Sequence, residues 1–268
     1  MANWVLQVAT NVFTIEEDNV SVGWLRAIEH LVDCGGECFN LMVSIKNPTQ
    51  TEPTIHTAYE QLLSNHALLT LKQVKYTIFP RSLYLQVSKD PNRLFERYNR
   101  AGGVYDRLRR RYSRKFGWGS YFRRMTCYPV LDEYGNTTIV NQLGEIIHML
   151  QDRARTYKAA YTISIQIPGT DGRRIMGGPC LNYVALQLAS PRVLNALAVY
   201  RNHDFIQRTY GNYLGLGYVM EFICDQTGYS MGRLNCLSSH ASIANIAGAD
   251  SWPSTTEIRS IIQSLTQP

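Results

Sequence analysis

Residues 177–183 have the sequence Gly-Gly-Pro-Cys-Leu-Asn-Tyr, and residues 200–204 have the sequence Tyr-Arg-Asn-His-Asp. Between them, residues 182–188 and 194–200 are apolar and bounded by turn residues, which predicts two strands. A Pro-Cys turn that is followed by strands and then by Arg201 and Asp204 indicates a cysteine nucleophile beside a cation that binds an anion. These two segments therefore guide the interpretation of the whole chain.

The chemistry of these residue types supports a nucleophilic site. A cysteine attacks as the thiolate, and its ordinary pKa of about 8.5 is lowered by a nearby arginine such as Arg201. The Arg201 guanidinium also binds anions through two parallel hydrogen bonds. Asn212 has the donor and acceptor needed to recognise a pyrimidine edge, and His240 has a ring nitrogen suited to a sugar hydroxyl. The alternative is structural: a buried inert Cys180, and polar residues that only serve the fold.

Composition favours a globular protein. The chain has 268 residues, of which 45% are hydrophobic and 18% are charged, enough for one large domain or two small ones. It has no run of about 18 apolar residues, so we expect no membrane span. The start of the chain lacks the basic and then apolar pattern of a signal peptide, which favours a cytoplasmic protein.

The six cysteines do not have the spacing of a disulfide framework. Cys34 and Cys38 lie close together, but no second pair with zinc-ligand spacing follows them. We therefore expect reduced cysteines and no metal site.

The net charge of +6 favours an anionic partner. Much of the excess falls in residues 107–115, which contain five arginines and a lysine. A solvated helix face, phosphate capture and contact with nucleic acid all remain open for this segment. Aromatic residues lie among and beside these cations, so both base stacking and packing remain possible for them.

Periodicity predicts alternating helices and strands. Helices are expected over 22–33, 54–69, 91–99, 104–116, 140–153 and 214–227. Strands are expected over 38–45, 161–167, 182–188, 194–200 and 233–239. No repeat or linker divides the chain, so the pattern predicts one α/β or α+β domain over residues 1–268 with one main sheet.

The order and spacing of the polar residues form a longer pattern. Asn212 follows Asp204 by eight residues, and His240 follows a predicted helix and strand. Upstream, residues 141–143 are Asn-Gln-Leu and residues 118–123 are Trp-Gly-Ser-Tyr-Phe-Arg. Over about residues 115–243 the chain resembles the thymidylate synthase family, whose pattern is Pro-Cys, Arg-Ser-x-Asp, Asn in a Pro-Phe-Asn turn, and His-x-Tyr.

The resemblance implies a single thymidylate synthase-like domain with a central mixed sheet flanked by helices, and a homodimer packed through the sheet faces. It implies an enzyme that adds a methyl or hydroxymethyl group to C5 of uracil or cytosine in a nucleotide or nucleoside. The sulfur of Cys180 would attack C6 of the ring, and 5,10-methylenetetrahydrofolate would donate the carbon.

The resemblance also assigns site residues. Cys180, Tyr121 and Asn212 would be catalytic, and Asn212 would also recognise the base, since asparagine in this family suits uracil and aspartate suits cytosine. Arg201 would bind the phosphate and Asp204 would contact folate. His240 and Ser242 would contact the sugar. Arg155 and Lys158 would be the two cations that replace the family's paired arginines.

Several positions depart from the family pattern. The paired phosphate arginines align with Ala159-Ala160, and Ser242 stands where the family has tyrosine. Glu60 and Glu96 are the nearest candidates for the catalytic glutamate, but neither has the expected neighbours. Leu181 replaces a usual histidine, and 28 residues follow His240 where the family has a longer tail that closes over folate.

These departures keep a second function open. A binding or assembly protein could be built on the same scaffold without one-carbon chemistry. It would sense nucleotides or contact nucleic acid through residues 107–115.

Overall fold

The computed structural model of the chain describes residues 12–111, 117–152, 157–171, 177–190, 192–245 and 248–266. Its main sheet has seven strands: β1 (Phe13–Asn19), β2 (Glu37–Asn47), β5 (Tyr161–Ser164), β6 (Leu181–Ser190), β7 (Val193–Tyr200), β8 (His203–Asp204) and β9 (Ser230–Ser242). A separate hairpin consists of β3 (Tyr128–Leu131) and β4 (Thr137–Val140).

The helices precede, connect and follow these strands. In the first half they are α1 (Val20–Asp33), α2 (Pro53–Asn65), α3 (Leu71–Ile78), α4 (Arg81–Gln86), α5 (Pro91–Asn99), α6 (Val104–Arg111) and α7 (Tyr121–Thr126). In the second half they are α8 (Gln142–Gln151), α9 (Pro168–Asp171), α10 (Thr209–Thr227) and α11 (Thr255–Thr266). Within the described ranges, no helix is both long and apolar enough to cross a bilayer.

The strand order across the main sheet is β1-β2-β9-β7-β6-β5, and β8 also pairs with β9. The pairs β1–β2, β7–β9 and β8–β9 are parallel, whereas β2–β9, β6–β7 and β5–β6 are antiparallel. The prediction of a mixed sheet flanked by helices is therefore confirmed. That the fold is that of the thymidylate synthase family remains a prediction.

Local signals located most of the predicted elements. The helix expected over 91–99 coincides with α5, where Asp90 caps the first turn and Pro91 occupies its start. Similarly, the Asn19 side chain caps α1 by accepting a hydrogen bond from the Val22 amide at 3.1 Å. The helix expected over 104–116 is described as far as Arg111, and residues 112–116 lie outside the described part of the chain.

One boundary prediction was wrong in a way that affects the site. Asn212 was expected in a turn before a helix that starts at Leu214, but α10 begins at Thr209 and contains Asn212 in its first turn. Helix α10 packs closely on α3, since a Cβ added at Gly211 would lie 2.8 Å from Val74. Tertiary packing, which a local turn signal does not contain, therefore extends the helix to include Gly211.

The two faces of the sheet differ in burial. Along β7, Ala196, Ala198 and Tyr200 are buried, whereas the alternating residues Leu197 and Val199 are only half-buried. The register places Leu197 opposite Ala185 and Asn235, and Val199 opposite Tyr183 and Leu237. The helices thus bury one face, and the other presents a mixed apolar and polar surface.

Close packing of α10 predicts a strong effect of one added methyl group. In Gly217→Ala the new Cβ would overlap the carbonyl of Pro48, which follows β2. We expect a loss of about 1–3 kcal/mol in the free energy of unfolding, because overpacking outweighs the gain of up to about 1 kcal/mol in helix propensity. Urea unfolding measures this loss.

Gly169→Ala is the matched control, because no atom lies within 4 Å of its added Cβ. Its free energy of unfolding should stay within about 0.5 kcal/mol of the wild type. Equal stability of the Gly217 and Gly169 variants would contradict the close contact between α10 and the end of β2.

Candidate functional site

The antiparallel pairing of β6 with β7 brings the Pro179-Cys180 turn beside Arg201. The Arg201 amide donates hydrogen bonds to the Cys180 carbonyl at 2.9 Å and to Asn182 Oδ1 at 3.1 Å. Arg201 Nε also donates to the carbonyl of Pro179 at 3.1 Å. The guanidinium group is therefore fixed beside the Pro-Cys turn, as the sequence pattern predicted.

Tyr121 lies directly against this turn. Its hydroxyl oxygen accepts the backbone amides of Cys180 and Leu181 at 3.3 and 3.4 Å. Burial raises the pKa of Tyr121, so the phenol stays protonated at neutral pH. With its oxygen engaged as an acceptor, Tyr121 keeps its own O–H to donate to a bound molecule.

A buried ion pair positions the segment that contains Tyr121. The Arg124 guanidinium contacts the Asp171 carboxylate through two hydrogen bonds of 3.1 Å, and both side chains are less than a tenth exposed. Arg124 also donates to the carbonyl of Trp118 at 2.7 and 2.9 Å. This pair therefore fixes α7 against the end of β5 and holds Tyr121 at the cysteine.

Two arginines and burial shift the pKa of the Cys180 thiol in opposite directions. Burial raises the pKa of the Cys180 thiol, and the positive charges of Arg208 and then Arg201 lower it without cancelling the effect of burial. Arg201 thus acts in the expected direction. The net shift is nevertheless upward, so the free protein holds Cys180 mainly as the thiol at neutral pH.

Arg208 is a site residue that the sequence reasoning missed. It immediately precedes α10, and its backbone amide donates to the Asp204 carbonyl at 3.2 Å. Its charge also acts on Tyr121 and Tyr59. In the described ranges, no carboxylate pairs with Arg208 within 4.0 Å, which leaves its guanidinium available to an anion.

His203 is the second missed residue, and it connects the sheet to α10. Its Nδ1 lies 2.9 Å from Ser238 Oγ, and its Nε2 lies 3.1 Å from Asn212 Nδ2. The ring stacks on Tyr200 with centroids 3.8 Å apart and is 1% exposed. Burial lowers the pKa of His203 to about 3, so the imidazole is uncharged at neutral pH.

An uncharged imidazole orients the Asn212 amide. Because the amide nitrogen only donates, Nε2 of His203 accepts this hydrogen bond, and Nδ1 carries the proton that is donated to Ser238. One Asn212 N–H is therefore committed to His203, which leaves the carbonyl oxygen and the second N–H for a ligand. This arrangement suits recognition of a flat heterocycle with adjacent donor and acceptor atoms.

Buried polar groups lie in the core near the cysteine. Burial raises the pKa of Asp204, whose Oδ1 accepts the amides of Ile206 and Gln207 at 3.1 and 2.9 Å. The buried hydroxyls of Tyr59, Tyr200 and Tyr213 have no hydrogen-bond partner within the described part of the chain. Buried hydroxyls are normally paired with protein or water, and of these three exceptions Tyr200 is the one on whose pKa Cys180 acts electrostatically.

His240 and Ser242 lie at the end of β9. His240 Nδ1 is 3.0 Å from Asn202 Oδ1, and Nε2 is 3.0 Å from the Glu37 carboxylate. Ser242 is fully buried, and its hydroxyl accepts the Ala244 amide at 3.0 Å. Both ring nitrogens and the serine hydroxyl thus have protein partners, so a sugar contact by His240 requires exchange of a partner.

The remaining predicted residues are not assembled at the cysteine. Lys158 is exposed, and its carbonyl accepts the Leu188 amide at 2.8 Å, whereas Arg155 lies outside the described residues. Glu60 is 57% exposed at its side chain and faces His56, and Glu96 is exposed on α5. Asp204 is the carboxyl group that acts electrostatically on Cys180.

Comparison of the chain with protein-family models and with curated proteins gave no match. Function is therefore argued from the site itself.

The raised pKa of Cys180 predicts how the reactivity of its thiol depends on pH. The rate of alkylation by iodoacetamide should rise with pH with a midpoint above the ordinary thiol pKa of about 8.5, because burial outweighs both arginines. Arg208→Ala should raise the midpoint more than Arg201→Ala does. Mass spectrometry of the peptide that contains Cys180 separates this thiol from the other cysteines.

Arg233→Ala removes a cation that pairs with Glu16 and should leave the midpoint unchanged. A wild-type midpoint at or below 8.5 would mean that the arginines, not burial, dominate at Cys180.

The lowered pKa of His203 predicts that the protein loses stability in acid. In the unfolded chain its pKa is the ordinary 6.5, and in the folded protein it is about 3, so the unfolded state binds the proton first as pH falls. The stability from the uncharged ring is present above pH 6.5 and is lost progressively below it. Between pH 6.5 and 5 the free energy of unfolding should fall in the wild type. In His203→Gln we expect this fall to be smaller by about 1–2 kcal/mol.

Urea unfolding at several pH values measures this difference in slope. His148→Gln, at an exposed position on α8, is the control and should keep the wild-type slope. Identical slopes for all three proteins would show that folding does not shift the pKa of His203.

Proposed function

We propose that this protein is an enzyme that activates C5 of a uracil or cytosine ring, in a nucleotide or nucleoside, and adds a one-carbon group there. The observation that carries the proposal is the convergence of Tyr121, Arg201 and Arg208 on Cys180, with the Asn212 amide connected to this group through His203 and Tyr200. A nucleophile, a neutral donor, two cations and an oriented amide are the groups that covalent activation of a pyrimidine requires.

Each residue has a role in this chemistry. The sulfur of Cys180 forms a bond to C6, and the ring π electrons move toward C5 and the C4 oxygen as an enolate. The Tyr121 O–H and the Asn212 amide stabilise the developing negative charge. After substitution, C5 loses its proton, the C–S bond breaks, and the thiolate of Cys180 returns.

We propose Asp204 as the group that transfers protons, in place of an exposed glutamate. Asp204 is a carboxyl group that acts on Cys180, and burial raises its pKa above the ordinary value, the direction that suits a group that accepts and returns a proton. Arg201 and Arg208 also favour the thiolate. Because burial keeps Cys180 mainly as the thiol in the free protein, binding of the pyrimidine must lower the pKa of this thiol.

We propose 5,10-methylenetetrahydrofolate as the carbon donor, with Oδ2 of Asp204 as the group that would contact it. When bound, the folate would supply a one-carbon unit, which becomes methyl if the folate also donates a hydride and leaves as dihydrofolate, or hydroxymethyl on capture by water. The residues named above would bind the pyrimidine ring and activate its C5.

We also propose a homodimer formed through the half-exposed face of the sheet. Tyr183, Leu197, Val199 and Leu237 lie on that face in adjacent strands, and Asn235 adds an amide beside Leu197. A mixed apolar and polar face of this kind suits a partner sheet of the same composition. The cysteine lies at the start of β6, so a dimer would bring each site close to the shared surface.

The raised pKa of Cys180 favours a second candidate function. A thiol that stays protonated at neutral pH is typical of a structural cysteine. On this alternative the protein binds a pyrimidine nucleotide through Asn212, Arg201 and Arg208 without covalent chemistry, as a nucleotide sensor or assembly protein.

Exchange of the C5 hydrogen for deuterium tests the enzymatic proposal without any carbon donor. We expect the wild type to exchange C5–H in one member of a panel of uracil and cytosine nucleotides and nucleosides. Cys180→Ala should exchange at the background rate, because no C6 adduct forms. Tyr121→Phe should be slower by about a hundredfold, since it loses the donor to the enolate.

Binding measured by calorimetry on the same panel separates the two functions. A compound that binds equally to wild type and Cys180→Ala, and that neither protein exchanges, would establish the sensor or assembly function. Arg233→Ala, which alters a cation away from the cysteine, should exchange C5–H at the wild-type rate.

A further inference from the structure

The strongest charged feature outside the cysteine site is a set of arginines on α5, α6 and the loop between them. All are exposed, and α6 buries none of its residues. We call this set the arginine surface, and its members are Arg93, Arg97, Arg100, Arg107, Arg109 and Arg110.

Most of the protein's net charge lies in this short segment. Residues 93–110 contain six arginines and two acidic residues, a net charge of +4, whereas the whole chain carries +6. One of the two acids is already engaged, because Asp106 accepts the Gly102 amide at 2.9 Å. The field at this surface is therefore strongly positive at every pH at which the protein folds.

The arginine surface also lacks internal ion pairs. Elsewhere, Arg26, Arg81, Lys89 and Arg259 each have a carboxylate within 4.0 Å. Among the described residues, no member of the arginine surface has such a partner. Arg107 donates to the Gly102 carbonyl at 2.8 Å. Because none of these exposed guanidinium groups has a carboxylate partner in the described ranges, each can contact an external polyanion without first breaking a salt bridge.

The aromatic rings that the structure describes near this surface are engaged in packing. Tyr105 packs against the hydrophobic core and lies under the Arg123 guanidinium at 5.1 Å. Trp118 packs beside Tyr121 at 4.9 Å, and Phe122 is fully buried. Of the two interpretations that the sequence left open for these aromatics, packing is the one observed. Tyr112 and Phe116 lie outside the described residues.

These features select one kind of polyanion. Binding of single strands relies on exposed aromatic platforms, which the described part of this surface does not have. A duplex presents about one phosphate charge per 1.7 Å of its axis, and α6 rises about 1.5 Å per residue through Arg107, Arg109 and Arg110. Four arginines against one aspartate give α6 a net charge of +3 over about 12 Å of helix axis, so several duplex phosphates lie within reach of its guanidinium groups.

We propose that the arginine surface binds the phosphate backbone of double-stranded nucleic acid without reading its sequence. Exposed guanidinium groups donate bidentate hydrogen bonds to phosphate oxygens and release condensed counterions, which drives binding. This function is separate from the chemistry at Cys180 and does not depend on it.

Fluorescence anisotropy with labelled duplexes of about 20 base pairs tests the proposal. We expect binding of duplex DNA or duplex RNA that weakens linearly with the logarithm of salt concentration between 50 and 200 mM. The double variant Arg109→Ala/Arg110→Ala should reduce the slope by about two and lower the affinity at 100 mM salt by at least about tenfold.

The double variant Arg26→Ala/Lys46→Ala is the matched control, because it removes the same net charge from exposed positions on α1 and β2. It should keep most of the wild-type affinity. Equal weakening of both double variants would show that net charge alone attracts the duplex, which overturns a defined surface. Unfolding curves confirm that each variant folds.

Three further results would also overturn the proposal. These are the absence of binding to either duplex at 50 mM salt, tighter binding of single strands than of duplex, and equal competition by polyglutamate of matched charge. The last result would identify a carboxylate-binding surface in place of a phosphate-binding one. Cys180→Ala should bind duplex as the wild type does, which separates this test from that of the proposed enzyme.

Discussion

The candidate site depends on one buried, uncharged imidazole. His203 joins three parts of the fold, since it belongs to β8, donates to Ser238 on β9 and accepts from Asn212 on α10. A proton on both ring nitrogens would leave a charge without a carboxylate partner in the core and would turn the Asn212 contact into a clash of two donors. The neutrality of His203 and the orientation of the amide therefore have the same cause, which is exclusion of water.

The same exclusion of water sets the protonation state of the Cys180 sulfur. Burial favours the thiol and outweighs the charges of Arg208 and Arg201, which favour the thiolate. A change in the water or charge beside the sulfur would therefore shift its pKa. The hydroxyl of Tyr200, unpaired within the described ranges, lies in the same region.

Arginines serve three different purposes in this protein. Arg124 is buried, paired with Asp171 and structural, because it holds α7 and thus Tyr121 in place. Arg201 and Arg208 are partly buried beside the cysteine, where low polarity strengthens their effect. The arginine surface is exposed, and water and salt weaken each contact there, so many charges must act together. Burial and pairing, which differ at each position, decide the purpose of an identical side chain.

Elements with local signals follow from the amino-acid sequence alone. Apolar segments bounded by turn residues located the β6–β7 pair, periodic apolar residues located α8, and Asp90 with Pro91 located the start of α5. Spacing also placed Arg201 beside Cys180, because two adjacent strands connect them. The folded chain was needed to show that α10 begins before Asn212, that Arg208 acts on the cysteine, that His203 is neutral, and that Ser242 is buried. These properties depend on desolvation and on packing between segments distant in sequence, and no local periodicity encodes either.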